Sequence, residues 1–499
     1  MKKDIFALTF IVIFGAVLYG LTLRGAPGNP QAGDFKEKLD LPTGAFELSP
    51  ERGRYVQTAS LAERGTYSLD KTWALVAYPD VGVAESGSYY SFFAPGVSYM
   101  ALPFYLVGSM FGYAQVGTFS VEVLFTLLTL VFIYLIGRKM FGLSVGLSIF
   151  AALIFGFGST AWSYSVTLYQ HAFTTFFMVS SVYAIWRYST SVSRWSFLYP
   201  AYVWAAYGLA IFVDYPNAIL MLPVMVYLFL TAFSLQSVRD TVKLNIRMSA
   251  VVAALAFVLI TGLHFWHNQY YFGSWKQLSG GLPTYQLEAT PADTALIAPP
   301  LVPANEIAAT QAAAVTATST AAEDATSTKN VVAFFHERKM PQGFDVLLFS
   351  GERGLFFFTP LFILSFFGFG FFCRKNKGLP MPYAIMAALV ATNIFLYASW
   401  GDPWGGWAFG PRYLIPSMPW LALFAAWFVS QGRHIVMKKI GVYALFLYSS
   451  AIALVGALTS NAVPPKSEAL LLPIKTYNFM KNFGYLQGDQ AGDFVYNTY

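Results

Sequence analysis

The segment KKDIFALTFIVIFGAVLYGLTL, residues 2–23, decides what kind of molecule this is. After two lysines and one aspartate come 19 residues, Ile5 to Leu23, without a charge. At ~1.5 Å per residue a helix of that length nearly spans the ~30 Å of a bilayer's hydrocarbon. It is longer than the apolar core of a secretory leader and reads as a retained anchor, with cleavage as the alternative. The whole chain matches this beginning. Of 499 residues only 11% are charged and 56% are hydrophobic, and the mean hydropathy is +0.52. Soluble proteins carry roughly 25% charged residues, so soluble classes are excluded.

Windows of about 20 apolar residues occur at 4–23, 117–137, 143–161, 165–186, 196–213, 217–234, 248–266, 354–373, 380–399, 413–430 and 440–459. The fold class expected is an all-α polytopic membrane protein of about 11 transmembrane helices. Orientation follows from the lysines and arginines of the short loops. With the N-terminus inside, one side receives 15 of the 31 basic residues, among them Arg138, Lys139, Arg187, Arg247, Arg374 and Lys438, opposed only by Asp4 and Asp240. That leaves +13 inside and −7 outside. The net charge of +6 therefore orients the protein and does not indicate a nucleic-acid partner. Residues 94–113 are apolar enough to span, but a crossing there would place the Arg138 and Arg374 clusters outside. With two prolines and scattered Ser and Tyr, they read as a helix in the outer interface. The topology expected is N-in and C-out, in a cytoplasmic membrane.

This gives one transmembrane domain, 1–460, with a first outer loop 24–116 carrying interfacial helices, a second outer loop 267–353, and an outer tail 461–499. About 299–330 the second loop is an Ala/Thr-rich insertion without large apolar side chains, which reads as flexible. Cys373 is the only cysteine, so no internal disulfide forms. There is no P-loop, GxGxxG or Asp-x-Asp pair for a nucleotide or its metal. Carboxylates near the spans are limited to Glu122 and Asp214, fewer than a proton-coupled transporter places at the midplane.

The chemistry-bearing stretch is SPERGRYVQTASLAERGTYSLD, 49–70. Ser49 reads as an N-cap, Pro50 suits the first helical position and Gly65 supplies a stop. Glu51 then sits in the first turn, where the helix dipole favours the ionised form that a general base requires. The plainer alternative makes Glu51 a dipole-compensating residue paired with Arg54 at i,i+3.

Glu51-Arg-Gly-Arg-Tyr-Val, followed by SGSYYSFFAPGVSYMALPFYLVGSMFG and a span ending in GRKMFG, resembles the GT-C class of integral membrane glycosyltransferases. Bacterial relatives of the lipid A aminoarabinose transferase and the protein O-mannosyltransferases (family 39-like) are the groups it is most similar to. The likeness continues at HNQYYFGSW (267–275), SGERGLFFFTPLFIL (350–364) and WGDPWGGWAFGPRYLIPSMPWL (400–421). The resemblance implies transfer of a sugar from a polyprenyl-phosphate carrier to a lipid, glycan or protein acceptor at the outer face, with inversion. Glu51 matches the family's essential acidic residue and is implied as the catalytic base. The leaving phosphate needs cations, and Arg412 and Arg353 are the candidates to hold it; a Glu352–Arg353 pair is the plainer reading of the latter.

Two departures from the family pattern stand out. Where relatives carry a second acidic residue, this chain has TLYQHAF, offering Gln170 and His171; His171 is a candidate phosphate or sugar contact, or a structural histidine. Without that carboxylate a divalent metal is not supported, and no other cofactor is implied. Phe93-Ala94-Pro95 replaces a lysine-proline pair. Tyr55, Asp402, Trp404, Trp407 and Tyr413 are candidate sugar or acceptor contacts, since a ring beside a carboxylate offers a stacking face and hydroxyl acceptors; interfacial-belt residues are the alternative. Rival functions are a surface-polysaccharide polymerase or ligase and a lipid or solute transporter.

Overall fold

The computed structural model describes residues 2–39, 46–238, 241–285, 340–431, 435–470 and 476–486. The Ala/Thr-rich insertion about 299–330 and the end of the tail lie outside the described residues. The rest is an all-α polytopic bundle with two small antiparallel hairpins. Among the described residues, seven helices are long and apolar enough to cross a membrane: Lys2–Thr22, Ala114–Lys139, Arg194–Val213, Met248–Phe272, Met381–Ala398, Arg412–Ser430 and Ile440–Leu458.

The other four of the 11 expected windows hold shorter, interrupted or more polar helices. Residues 143–161 yield the short helix Val145–Phe157, ended at Gly158. Residues 165–186 become the helix His171–Thr190, which is mostly buried against protein and so tolerates its Thr, Ser and Tyr side chains. Pro223 splits 217–234 into Asn217–Leu220 and Leu222–Ala232, and Pro360 splits 354–373, because proline lacks the N–H that a continuous helix needs. A second departure is the strand pair Phe233–Val238 and Thr241–Ile246, where only a short basic loop was expected. The alternation in TVKLN is a strand period.

Side-chain contacts sort the helix ends into two sets. At one end, Arg138 pairs with Asp4 at 3.0 Å, Tyr383 donates to the Met140 carbonyl, Lys375 donates to Gln431 and Arg247 donates to the Tyr188 carbonyl. All of these belong to the basic loops. At the other end, the Arg24 N–H donates to Val166, and Ala408 to Val463. The helix Gly96–Met110 begins against Phe212 and Val213, where a side chain on Gly96 would strike backbone at 2.6 Å. It ends at Gly112, whose carbonyl accepts from the Gly28 N–H. Both of its ends therefore lie at the end of the bundle opposite the basic loops.

The tail is also fastened at that end. In the helix Phe479–Leu486, Asn482 donates to Thr459 at 2.7 Å and Lys481 donates to the Ala462 carbonyl at 2.9 Å, with its ammonium 5.0 Å from the Trp407 ring. Burial pushes the Lys481 amine down to about 7 from 10.5. A lysine depressed by docking gives up its proton to dock, so docking is weakest below pH 7 and strengthens as pH rises towards 10. Limited proteolysis of the tail should slow over that range in wild type, and Lys481→Met should abolish the pH dependence.

Candidate active site

The helix Ser49–Arg64 starts one residue earlier than its sequence suggests. Leu48 is the N-cap, without a side-chain cap bond, because the Ser49 hydroxyl is spent on Asp80 at 2.5 Å. Glu51 is consequently the third helical residue and reaches back, as glutamates at that position do, to accept from the Glu47 N–H. Its second oxygen accepts from the Thr167 hydroxyl, and the side chain is fully buried. Burial pushes the Glu51 carboxyl up, against the pull of Thr167, the backbone and Arg24. The i,i+3 pair with Arg54 does not form: Arg54 donates to the Pro50 carbonyl at 3.0 Å and to Gln170 at 2.7 Å.

Arg54 is 2% exposed and lies with its guanidinium 4.4 Å from the Phe93 ring. The Arg-Gly-Arg spelling explains how this becomes possible. A methyl on Gly53 would meet the Ser91 hydroxyl at 2.5 Å and the Phe93 ring at 3.0 Å, so only glycine lets the 91–93 segment lie against the helix. Arg54 and Arg412 then flank one ring, their guanidinium carbons 5.9 and 5.8 Å from Tyr169. His171 stacks on the same ring at 6.0 Å, and its Nε2 is buried with no partner. The Nε atoms of both arginines are likewise unpartnered, and neither arginine is in an ion pair among the described residues. Asp214, at the end of Leu198–Val213, completes the wall. Burial raises its carboxyl to about 6, opposed by Arg54, Gln170 and Arg412. The segment 167–171 thus touches Glu51 through Thr167 and the cations through Tyr169 to His171.

The other predicted residues are placed differently. Arg353 is 1% exposed and donates to four carbonyls, those of Glu352, Trp404, Gly406 and Val463, at 2.9–3.1 Å. Asp402 is exposed and accepts from the N–H groups of Trp404 and Gly406, closing its own loop. Trp407 donates to Glu468 at 2.5 Å. Trp404 is half-buried, and its carbonyl is held by Arg353. Tyr413 is the member of this loop nearest the cations, stacked on Tyr397 at 4.2 Å with Arg412 5.4 Å from its ring. Tyr55 is fully buried among Phe35, Phe46 and Tyr105.

Sequence reasoning did not single out Arg24 and Glu47. They form an ion pair at 2.5 Å with side chains 1% exposed, and Arg24 also donates to the Gly456 carbonyl at 2.6 Å. A signal was present: Arg24 is a lone cation just past the outer end of the first span, and Glu47 stands four residues before Glu51. Arg54 was weighed only as a partner of Glu51, and Asp214 only as a junction. Among the described residues no three His, Cys, Asp or Glu side chains converge as a metal site.

No family model matches the chain, and no curated protein does. Among solved structures it is similar to ArnT from Cupriavidus metallidurans in the apo state, with 12% identity and a TM-score of 0.49, covering 90% of this chain and 69% of that one. The same protein bound to undecaprenyl phosphate matches with 13% identity and a TM-score of 0.48 over the same shares. The archaeal oligosaccharyltransferase AglB from Archaeoglobus fulgidus, in complex with an inhibitory peptide and a dolichol-phosphate, matches with 12% identity and a TM-score of 0.44, covering 97% of this chain and 59% of that one.

The two arginines separate in one comparison. Arg353→Met removes the donor of the Glu352, Trp404 and Gly406 carbonyls, while Val463 keeps the Ala408 N–H; the loss should cost about 3 kcal/mol or more, read as a large fall in thermal midpoint in detergent. Arg412→Met, at a side chain without an ion pair, should change the midpoint little.

Proposed function

We propose that this chain is a GT-C-type glycosyltransferase that takes a sugar from a polyprenyl-phosphate carrier and passes it, with inversion, to a hydroxyl acceptor at the outer face of the cytoplasmic membrane. The observation that carries the reading is the meeting, around residues 167–171, of one buried carboxylate and three unsatisfied cationic or imidazole donors. A phosphate ester leaving as an anion requires just that division of labour. Arg54 and Arg412 hold the phosphate oxygens, with His171 contributing its ring nitrogen. Glu51 accepts the acceptor's hydroxyl proton as that oxygen bonds to the anomeric carbon. The bond from that carbon to the phosphate oxygen breaks, and its electron pair leaves with the phosphate, which needs positive charge more than a proton.

The bound sugar would face Tyr413 and Tyr397, whose stacked rings border Arg412. Asp402, Trp404 and Trp407 hold the loop that presents Arg412, and Arg353 anchors that loop from behind.

The test is incubation of purified protein with a panel of radiolabelled polyprenyl-phosphate sugars, following loss of label from the carrier. Turnover by wild type and none by Glu51→Gln, at equal expression, is the expected result; an active Gln variant removes Glu51 from the role of base. Arg54→Ala and Arg412→Ala should each raise the donor KM by about tenfold or more, the loss of a charged hydrogen bond of about 1.5–3 kcal/mol. Asp214 adds a pH signature. Its carboxylate opposes a phosphate above pH 6 and is neutral below, so donor affinity should strengthen as pH falls through about 6. Asp214→Asn should bind donor with the tighter affinity throughout.

A further inference from the structure

The carboxylate assigned as base is not alone. Glu47, from the segment preceding the Ser49–Arg64 helix, donates its N–H to Glu51 and sets its own carboxylate against Arg24 at 2.5 Å. Arg24 is fixed in turn. It leaves the end of the Lys2–Thr22 helix and donates to the carbonyls of Gly456 and Ala457, at the end of Ile435–Leu458. Glu51 is fully buried, and the Arg24 and Glu47 side chains are each 1% exposed. The dry site therefore holds two acids and one permanent cation.

The remaining charged or titratable groups around it leave the balance unchanged. Arg52, on the same helix, lies between Glu51 and Asp80 and donates to the Tyr78 carbonyl. Tyr164 and Tyr169 face the pair from the segment before His171–Thr190, and their phenols are neutral. Among the described residues, Asn461 adds its backbone N–H and its side-chain amide to Glu47. A second carboxylate charge in such a site has beside it only Arg52, a cation that Asp80 also draws on, and incompletely compensated buried charge costs several kcal/mol. Burial and the neighbouring Glu51 push the Glu47 carboxyl up to about 8 in spite of Arg24.

We infer that Glu47 and Glu51 hold one proton between them, with Arg24 as their fixed counter-charge, so that Glu47 decides when Glu51 is free to take the acceptor's proton. Glu47 is thus a positioning residue, one that acts through Glu51 without touching substrate. This inference rests on Glu51 being the base. It accounts for a feature of the chain that the transfer reaction alone does not require: a second carboxylate, four residues from the first, that is committed to an arginine and walled off from solvent. Removing either acid leaves the other alone with Arg24, and the survivor then ionises more readily.

The test has one arm that needs no substrate. Infrared titration of the purified full chain, referenced to the Glu47→Gln/Glu51→Gln double variant, should show one protonated carboxyl in wild type at neutral pH. In Glu47→Gln the remaining carboxyl should lose its proton with at least a threefold lower affinity. Glu51→Gln should show the reciprocal effect on Glu47, which carries the test should the first variant fail to fold. A change smaller than threefold in both variants overturns the shared proton. In the second arm, the acid limb of the transfer-rate profile with polyprenyl-phosphate sugars should move to lower pH in Glu47→Gln. If the infrared band moves but wild type transfers from no donor, the proposed activity fails and the shared proton stands. If transfer is found and neither band nor acid limb moves, the shared proton fails and the activity stands.

Discussion

A buried guanidinium must find partners or it must leave, and Arg24 finds its partners by drawing three distant parts of the chain together. Moving a cation of that size out of water costs several kcal/mol even after relaxation. Here the end of the last long helix supplies two carbonyls, and the loop before Ser49 supplies a carboxylate. Satisfying one side chain thus joins the end of the first span, the end of the last and the entry to the helix that carries Glu51. Ser163 extends the junction by donating to the same Gly456 carbonyl at 3.0 Å. The floor of the candidate site is built on this crossing.

The same constraint explains why arginines of similar sequence character have different fates. Arg353 and Arg412 both follow glycine-containing turns at the ends of spans, yet the first meets four carbonyls and the second meets aromatic faces. A guanidinium with its donors filled is structural. One that rests on rings, with Nε unpartnered, retains donors for an anion. Arg54 is intermediate: two donors are used on Pro50 and Gln170, and its flat face lies over Phe93.

Much of the architecture was legible in the residues because hydrophobicity is counted along the chain. The apolar windows, the basic loops and the placing of both ends of 94–113 on one side all follow from local composition. The details that differ arise where local composition meets tertiary burial. The His171–Thr190 helix keeps its Thr, Ser and Tyr side chains because protein covers most of it, and Pro223 and Pro360 interrupt windows that are apolar throughout. Ser49 looked like a cap, but a carboxylate from Asp80, 31 residues away, captured its hydroxyl.

By itself, the sequence determined that the chain lives in a bilayer, which loops are basic, and that Glu51 opens a helix beside an Arg-Gly-Arg turn. These are properties of neighbouring residues and need no partner. The tertiary structure alone decided that Arg54, Arg412, His171 and Asp214 share one wall, that Arg353 does not join them, and that Glu47 and Arg24 stand behind Glu51. Those groups are up to several hundred residues apart. Their charges find one another only when the bundle closes and excludes the water that would otherwise have satisfied each of them separately.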